Sequence, residues 1–172
     1  MMTHAKKLVK DVLYRIAPRW TTEWMSARSR AHSHKVVKEW GCPELNRKLI
    51  ERFGDRVQEG PFAGTILTAM AAAEQLGPFL LGVYESELDS AWEVIRRGNY
   101  AQVVDIGAKF GYYAVGMARW FPRTRVVTFD TDWWARDAVR EMAKANGVSE
   151  RIDIRGYCDR AWLVNELQEA AF

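Results

Sequence analysis

The stretch that most constrains this chain is residues 101–113, AQVVDIGAKFGYY. Val103, Val104 and Ile106 make a short apolar run of β-branched residues. A Gly-containing loop follows at once, and YYAVGMARWF continues with helical texture. A run of this kind reads as a parallel strand that is apolar on both faces because both are buried. Glycines at 107 and 111 stand where a backbone turns sharply or lets a ligand come close. The three pieces together predict the first strand–loop–helix turn of a nucleotide-binding α/β sheet, with the ligand at the carboxyl end of the strand.

Downstream the alternation is regular. A helix over 112–121 stops before Pro122, and the strand RVVTFD follows. A helix over 133–146 closes at Asn146-Gly147, RIDIR makes a third strand at 151–155, and a last helix covers 160–171. Short links between these elements fit consecutive right-handed crossovers of a parallel sheet. The expected fold is therefore α/β, a Rossmann-like parallel sheet with about three central strands behind an N-terminal helical extension.

The preceding 100 residues read differently. Leu8, Val9, Val12, Leu13 and Ile16 form one apolar face of a helix over 5–17, with Lys and Arg on the other, and Pro18 ends it. Such a helix packs on the domain as an arm, the favoured reading, or makes weak peripheral contact with an anionic membrane. Residues 22–40 predict a second helix, polar on most of its surface; Gly41 stops it, and PELNRKLIERFG forms a third closed by Gly54. VQEGPFAGTILT, residues 57–68, reads as a loop or a short hairpin-like pair of strands. Helical material over 74–98 follows, broken near Gly82, with Leu88, Trp92 and Ile95 on one face. The expected division is 1–56 helical extension, 57–100 connecting segment and 101–172 ligand-binding half.

Composition narrows the classes. At 172 residues, 48% hydrophobic and 27% charged, the chain is ordinary folded material, with no uninterrupted apolar stretch long enough for a membrane span. Lys10, Asp11 and Arg15 interrupt the N-terminal apolar residues, which argues against an export signal. Cys42 and Cys158 are far apart without a CxxC pair, which fits a reducing, cytoplasmic setting and no metal site. His32 and His34 are two apart and do not share a helix face, so they are expected to be solvated. The eight tryptophans are scattered and are expected to be core or helix-contact residues. Residues 1–60 hold 13 Lys/Arg against 7 Asp/Glu, but no concentrated basic stripe with interleaved aromatics, so no nucleic-acid partner is expected.

Three features carry the chemistry. The loop 105–111 has the pattern D-x-G-x-x-x-G, not the G-x-G-x-x-G of a dinucleotide site, which disfavours an NAD-linked enzyme. Asp105, at the strand end, can hold a cationic amino group. Asp130 ends the next strand about 20 residues later, placed to accept hydrogen bonds from both hydroxyls of a ribose. The tail of the third strand, with Tyr157 and Cys158, lies where an adenine ring would rest.

VVDIGAKFGYYAVGMA followed by VVTFDTD resembles motif I and the acidic second-strand end of class I S-adenosylmethionine-dependent methyltransferases. The upstream GPFAG and LLGVYESEL segments are similar to an FkbM-like bacterial subset, and the resemblance covers roughly residues 57–160. It implies S-adenosylmethionine as cofactor. Asp105 and Gly107 would hold its methionine end, while Ala108, Gly111 and Tyr112 would line its passage. Asp130 would hold the ribose, Thr131 would lie by the adenine, and Glu85 would reach the cofactor's edge or serve as a helix N-terminal carboxylate.

Lys109 departs from the motif. A cation near a sulfonium is repelled by about 4 kcal/mol at 4 Å in a partly screened site, so Lys109 is expected to point to solvent. A full methyltransferase sheet has about seven strands, so the resemblance further implies truncation after the third. The acceptor, an unidentified small molecule or glycan-type group, and any catalytic base have no assignable residues. The expected activity is methyl transfer to oxygen or nitrogen if the C-terminal half is supplied. The alternative is a non-catalytic methyltransferase-like module acting through protein contacts, and the open sheet edge invites homo-oligomers.

Overall fold

A computed structural model describes residues 2–68 and 76–169, with side chains described from 9 to 166 within those spans. Three N-terminal helices come first: α1 (Met2–Ile16), α2 (Pro18–Glu39) and α3 (Cys42–Phe53). Pro18 does not merely end α1. It opens α2, where a missing N–H and a preset φ suit the first helical turn. The expected second helix therefore starts four residues early. Gly41, at φ 70, makes the left-handed turn into α3.

The segment 57–68 is held by turns, with one antiparallel bridge from Arg56 to Ile66. Asn146 clamps it from a distance: its side chain accepts from the Ile66 N–H (2.8 Å) and donates to the Ile66 carbonyl (2.9 Å). Helix α4 (Leu76–Leu81), a 3₁₀ turn (Ser86–Leu88) and α5 (Asp89–Arg96) follow, with the break at Gly82. The expected helical start at 74–75 and the end of the last helix at 170–171 lie outside the described residues. Trp92 and Ile95 pack on the core as expected, but Leu88 is exposed.

The α/β unit then runs β1 (Gln102–Ile106), α6 (Tyr112–Trp120), β2 (Arg125–Phe129), α7 (Trp133–Ala145), β3 (Ile152–Arg155) and α8 (Arg160–Glu169). The strands pair in parallel in the order β1-β2-β3, with Val103 opposite Val126 and Val126 opposite Ile152. This is the expected Rossmann-like parallel arrangement. Strand alternation puts Val103, Val126, Ile152 and Ile154 on one face, against Ala114, Val115, Ala138, Val139 and Met142 of α6 and α7. On the other face α8 crosses the sheet: Trp162 packs on Phe129 at 4.7 Å and Glu166 accepts from Gln102.

One expectation is corrected. β1 is not the buried centre of the sheet. β2 is, with Val126 to Phe129 all buried, whereas β1 is half-buried along its length and Ile106 is 58% exposed. The reason is pairing: among the described residues no strand lies on the far side of β1.

Beneath the loop after β1 lies an aromatic cluster. Phe62, from the GPF segment, touches Trp92, Tyr112, Tyr113 and Trp120, with centroids 4.7–5.9 Å apart. Gly116 of α6 makes room for it, since a Cβ there would sit 2.2 Å from the Phe62 ring. The tryptophans meet the expectation in part: Trp92, Trp120 and Trp134 pack against the core and Trp162 on Phe129, but none of the eight is fully buried, and Trp20, Trp24, Trp40 and Trp133 are exposed.

Candidate functional site

The site is built where β1 and β2 end. Gly107 at φ 97, Lys109 at φ 50 and Gly111 at φ 91 turn the loop through positive φ at three alternate positions. A Cβ at Gly111 would press on Val139 of α7 at 3.2–3.3 Å, whereas one at Gly107 would meet nothing within 4 Å. So Gly111 serves close packing, while Gly107 borders open space.

The loop's amides are spoken for. The Gly107 and Ala108 N–H groups both donate to the Phe129 carbonyl (2.8 and 3.0 Å), and Gly111 donates to the Ala108 carbonyl (2.7 Å). Lys109 N–H donates to Oδ2 of Asp130 at 2.9 Å, and the Asp132 N–H donates to Oδ1 of the same carboxylate at 2.9 Å. Asp130 thus ties the first loop to the end of the second strand. A pyrophosphate needs several free N–H donors. Four in this loop already face protein acceptors, and carboxylates stand beside them. The residues fit a cationic, phosphate-free ligand better than a dinucleotide.

Asp105 pairs in register with Thr128, whose hydroxyl donates to its carboxylate at 2.9 Å. Asp130 lies two residues beyond Thr128, so alternation places both acids toward the same face. The charges agree. Burial pushes the Asp105 carboxyl above the usual aspartate range, the Thr128 hydrogen bond opposes this, and the nearby Asp130 charge adds to it.

Helix α2 roofs this end of the sheet. Ser26 Oγ lies 2.6 Å from Thr131 Oγ1, and Arg30 donates to the buried Asp132 at 2.7 Å. Asp132 also caps α7 by accepting from the Trp134 N–H. A cleft of about 260 Å³ remains between the helix and the strand ends, bordered by Ser29, Ser33, Lys109 and Asp130. Ser26, Arg30 and Ser33 are site residues that sequence reading missed by assigning this helix a solvated surface. Their i, i+4, i+7 spacing was the available signal.

Of the residues singled out in the sequence, Asp105, Gly107, Ala108, Asp130 and Thr131 come together at this end. Glu85 and Tyr112 make their described contacts in the aromatic cluster. Glu85, at φ 50, accepts from the Tyr113 hydroxyl in the first turn of α6. Tyr112 is buried, and burial, helped by the Asp89 charge, pushes its phenol up to about 12. Tyr157 and Cys158 follow β3, both half-buried. Burial and Asp159 raise the Cys158 thiol, against the opposing pull of Arg155, so it stays protonated at neutral pH.

Lys109 is exposed, as expected, and its ammonium also lies 6.0 Å from the Phe79 ring and 5.8 Å from that of Phe110. These two rings are buried, and they offer it cation–π attraction at the cleft's edge. One expectation is corrected here: His32 is exposed, but His34 is half-buried and packs edge-on against Trp134 at 5.3 Å.

Fold and site together define an α/β protein with a polar crevice at the carboxyl ends of parallel strands, lined by Arg30 and Lys109 as well as Asp130 and Asp132. No family model matches the chain, and no curated protein is similar to it. Among solved structures it is similar to the O-methyltransferase TomG of Streptomyces achromogenes, involved in tomaymycin synthesis and in complex with SAM. That match is at 19% identity and TM-score 0.40, covering 51% of this chain and 39% of that one. It is also similar to an O-methyltransferase of Bacillus cereus in complex with SAH (14%, TM-score 0.41, 83% and 56%) and to YjhP of E. coli (20%, TM-score 0.37, 43% and 30%). The chain spans between 30% and 56% of the length of these three structures.

Proposed function

We propose that this chain is the donor-binding half of an S-adenosylmethionine-dependent methyltransferase of the FkbM-like type, acting on oxygen or nitrogen of an unidentified acceptor. The observation that supports the reading is the position of two acids at the strand ends, Asp105 in register with Thr128 and Asp130 two residues further on, beside a loop whose amides are already engaged. Asp105 would hold the amino group of the methionine moiety, and Gly107 would give it room. Asp130 would take the ribose hydroxyls on the lone pairs its two backbone partners leave free. Thr131, Tyr157 and Cys158 would border the adenine, Ala108 and Gly111 the passage, and Glu85 with Tyr112 would brace the loop from beneath.

When bound, S-adenosylmethionine supplies an activated methyl group on a sulfonium. The residues named here bind, orient and exclude water. Segment 1–56 would act as the helical extension, 57–100 as the connecting segment and 101–172 as the donor-binding half, in a cytoplasmic setting that the two free cysteines support.

A second reading, a methyltransferase-like module without catalysis, draws support from α2. Its contacts with Thr131 and Asp132 occupy part of the region a nucleoside would border.

Calorimetry with S-adenosylmethionine, S-adenosylhomocysteine and NAD separates the possibilities. Either sulfur ligand is expected to bind and NAD is not; NAD binding without the other two would falsify the donor assignment. Asp130→Asn removes charge-assisted acceptors worth ~1.5–3 kcal/mol each, so binding is expected to weaken by about tenfold or more. Unchanged binding in that variant sinks the ribose role.

A further inference from the structure

The α1–α2 pair carries a surface that the donor reading leaves unused. On α1, Leu13 is half-buried and Tyr14 donates its hydroxyl to the Met25 sulfur of α2, so this side faces the partner helix. Val9, Val12 and Ile16, spaced i, i+3, i+7, form a stripe beside Leu13 that is exposed, Ile16 to 76%. Trp20 and Trp24 extend it onto α2, stacked at 6.3 Å and both exposed. Between the helices runs a groove of about 710 Å³ lined by Val9, Leu13, Trp24 and Met25 and by the cations Lys10 and Arg28. Arg28 lies 5.8 Å from the Trp24 ring, and Lys10 5.7 Å from that of Tyr14.

We propose that this face docks the protein on an anionic bilayer surface. An exposed apolar stripe with indoles beside it suits the boundary between headgroups and acyl chains, where one side of an aromatic ring is dry and the other wet. Charge selects the occupant. Among the described residues, the lining of the groove carries Lys10 and Arg28 and no carboxylate, within a segment 1–40 that holds nine Lys/Arg against three Asp/Glu. A second copy of the chain would set two cationic faces against each other, whereas anionic headgroups attract this one. Among the described residues no helix is long and apolar enough to cross a membrane, so the helix pair lies on the surface. The proposal uses a different side of α2 from the donor site: the helix meets the cleft with Ser26, Arg30 and Ser33 and the groove with Trp24, Met25 and Arg28, and the two linings meet at Ser29.

The test is co-flotation of the full chain with phosphatidylcholine vesicles, with and without roughly one third phosphatidylserine. The chain is expected to float with the anionic vesicles, to lose them as salt is raised, and to blue-shift its tryptophan emission on binding. Ile16→Ser with Trp20→Ser changes exposed residues and is expected to keep the thermal melt and the calorimetric binding of S-adenosylhomocysteine. Its vesicle binding should fall at least about tenfold. Failure of the parent chain to float, or equal flotation of the double variant, overturns the proposal. So does a dimer in sedimentation equilibrium that this variant dissolves while the parent ignores vesicles. Lost binding of S-adenosylhomocysteine in a parent chain that still floats counts against the donor reading and leaves this one intact.

Discussion

Asp105 shows what a site residue costs its fold. Its carboxyl is held above the ordinary aspartate range by burial first and by Asp130 last, with only Thr128 pulling the other way. A raised acid favours the folded state below its unfolded pKa, and that advantage is lost as pH rises through the folded value. Asp105→Asn is therefore expected to leave neutral-pH stability equal or higher, and to flatten the decline between acid and neutral pH. Urea midpoints across that range check it. The same variant should bind S-adenosylhomocysteine more weakly, since the amine loses a charged partner. Gly116 makes the opposite case, a residue with packing and no chemistry. Alanine there collides with the Phe62 ring, so Gly116→Ala is expected to cost ~1–3 kcal/mol in chemical denaturation, provided the helix shifts to accommodate it.

Among the elements, α2 has the most divided duties. Arg30 and Asp132 pair where Asp132 is nearly inaccessible, so among the described residues removing the arginine leaves a buried carboxylate with its cap contact to Trp134 alone. Arg30→Ala is expected to destabilise by roughly 1–3 kcal/mol, and adding Asp132→Asn should recover part of the loss. A double-mutant cycle by thermal melts measures the coupling. This helix was also the least legible part of the sequence. Its apolar residues do not gather on one side, because Trp20 and Trp24 look outward while Ser26 and Arg30 look toward the sheet. Periodicity finds helices with one dry face, and α2 has a polar face that is covered. The loop and strands were legible for the converse reason. Asp105, Gly107, Gly111 and Asp130 sit at fixed offsets that backbone geometry enforces, and the apolar runs of β1 and β2 have few other uses.

Over the whole molecule, which strand is buried at the centre escaped sequence reading. Val103, Val104 and Ile106 are as apolar as Val126, Val127 and Phe129, yet the second set is buried and the first half-exposed. Local composition does not say which neighbour a strand will have. Hydrogen exchange should display the difference: amides of β2, bonded on both sides, are expected to exchange slowest, and the outward half of the β1 amides markedly faster. Equal protection along both strands would mean that something covers the β1 edge in solution.

Asp130 has a consequence of its own. One carboxylate buckles the turn behind the first strand to the opening of α7, through the Lys109 and Asp132 amides. Neither strap loosens without tugging the other, so the crevice floor is expected to breathe as a single plate, and a guest arriving there meets a surface already shaped.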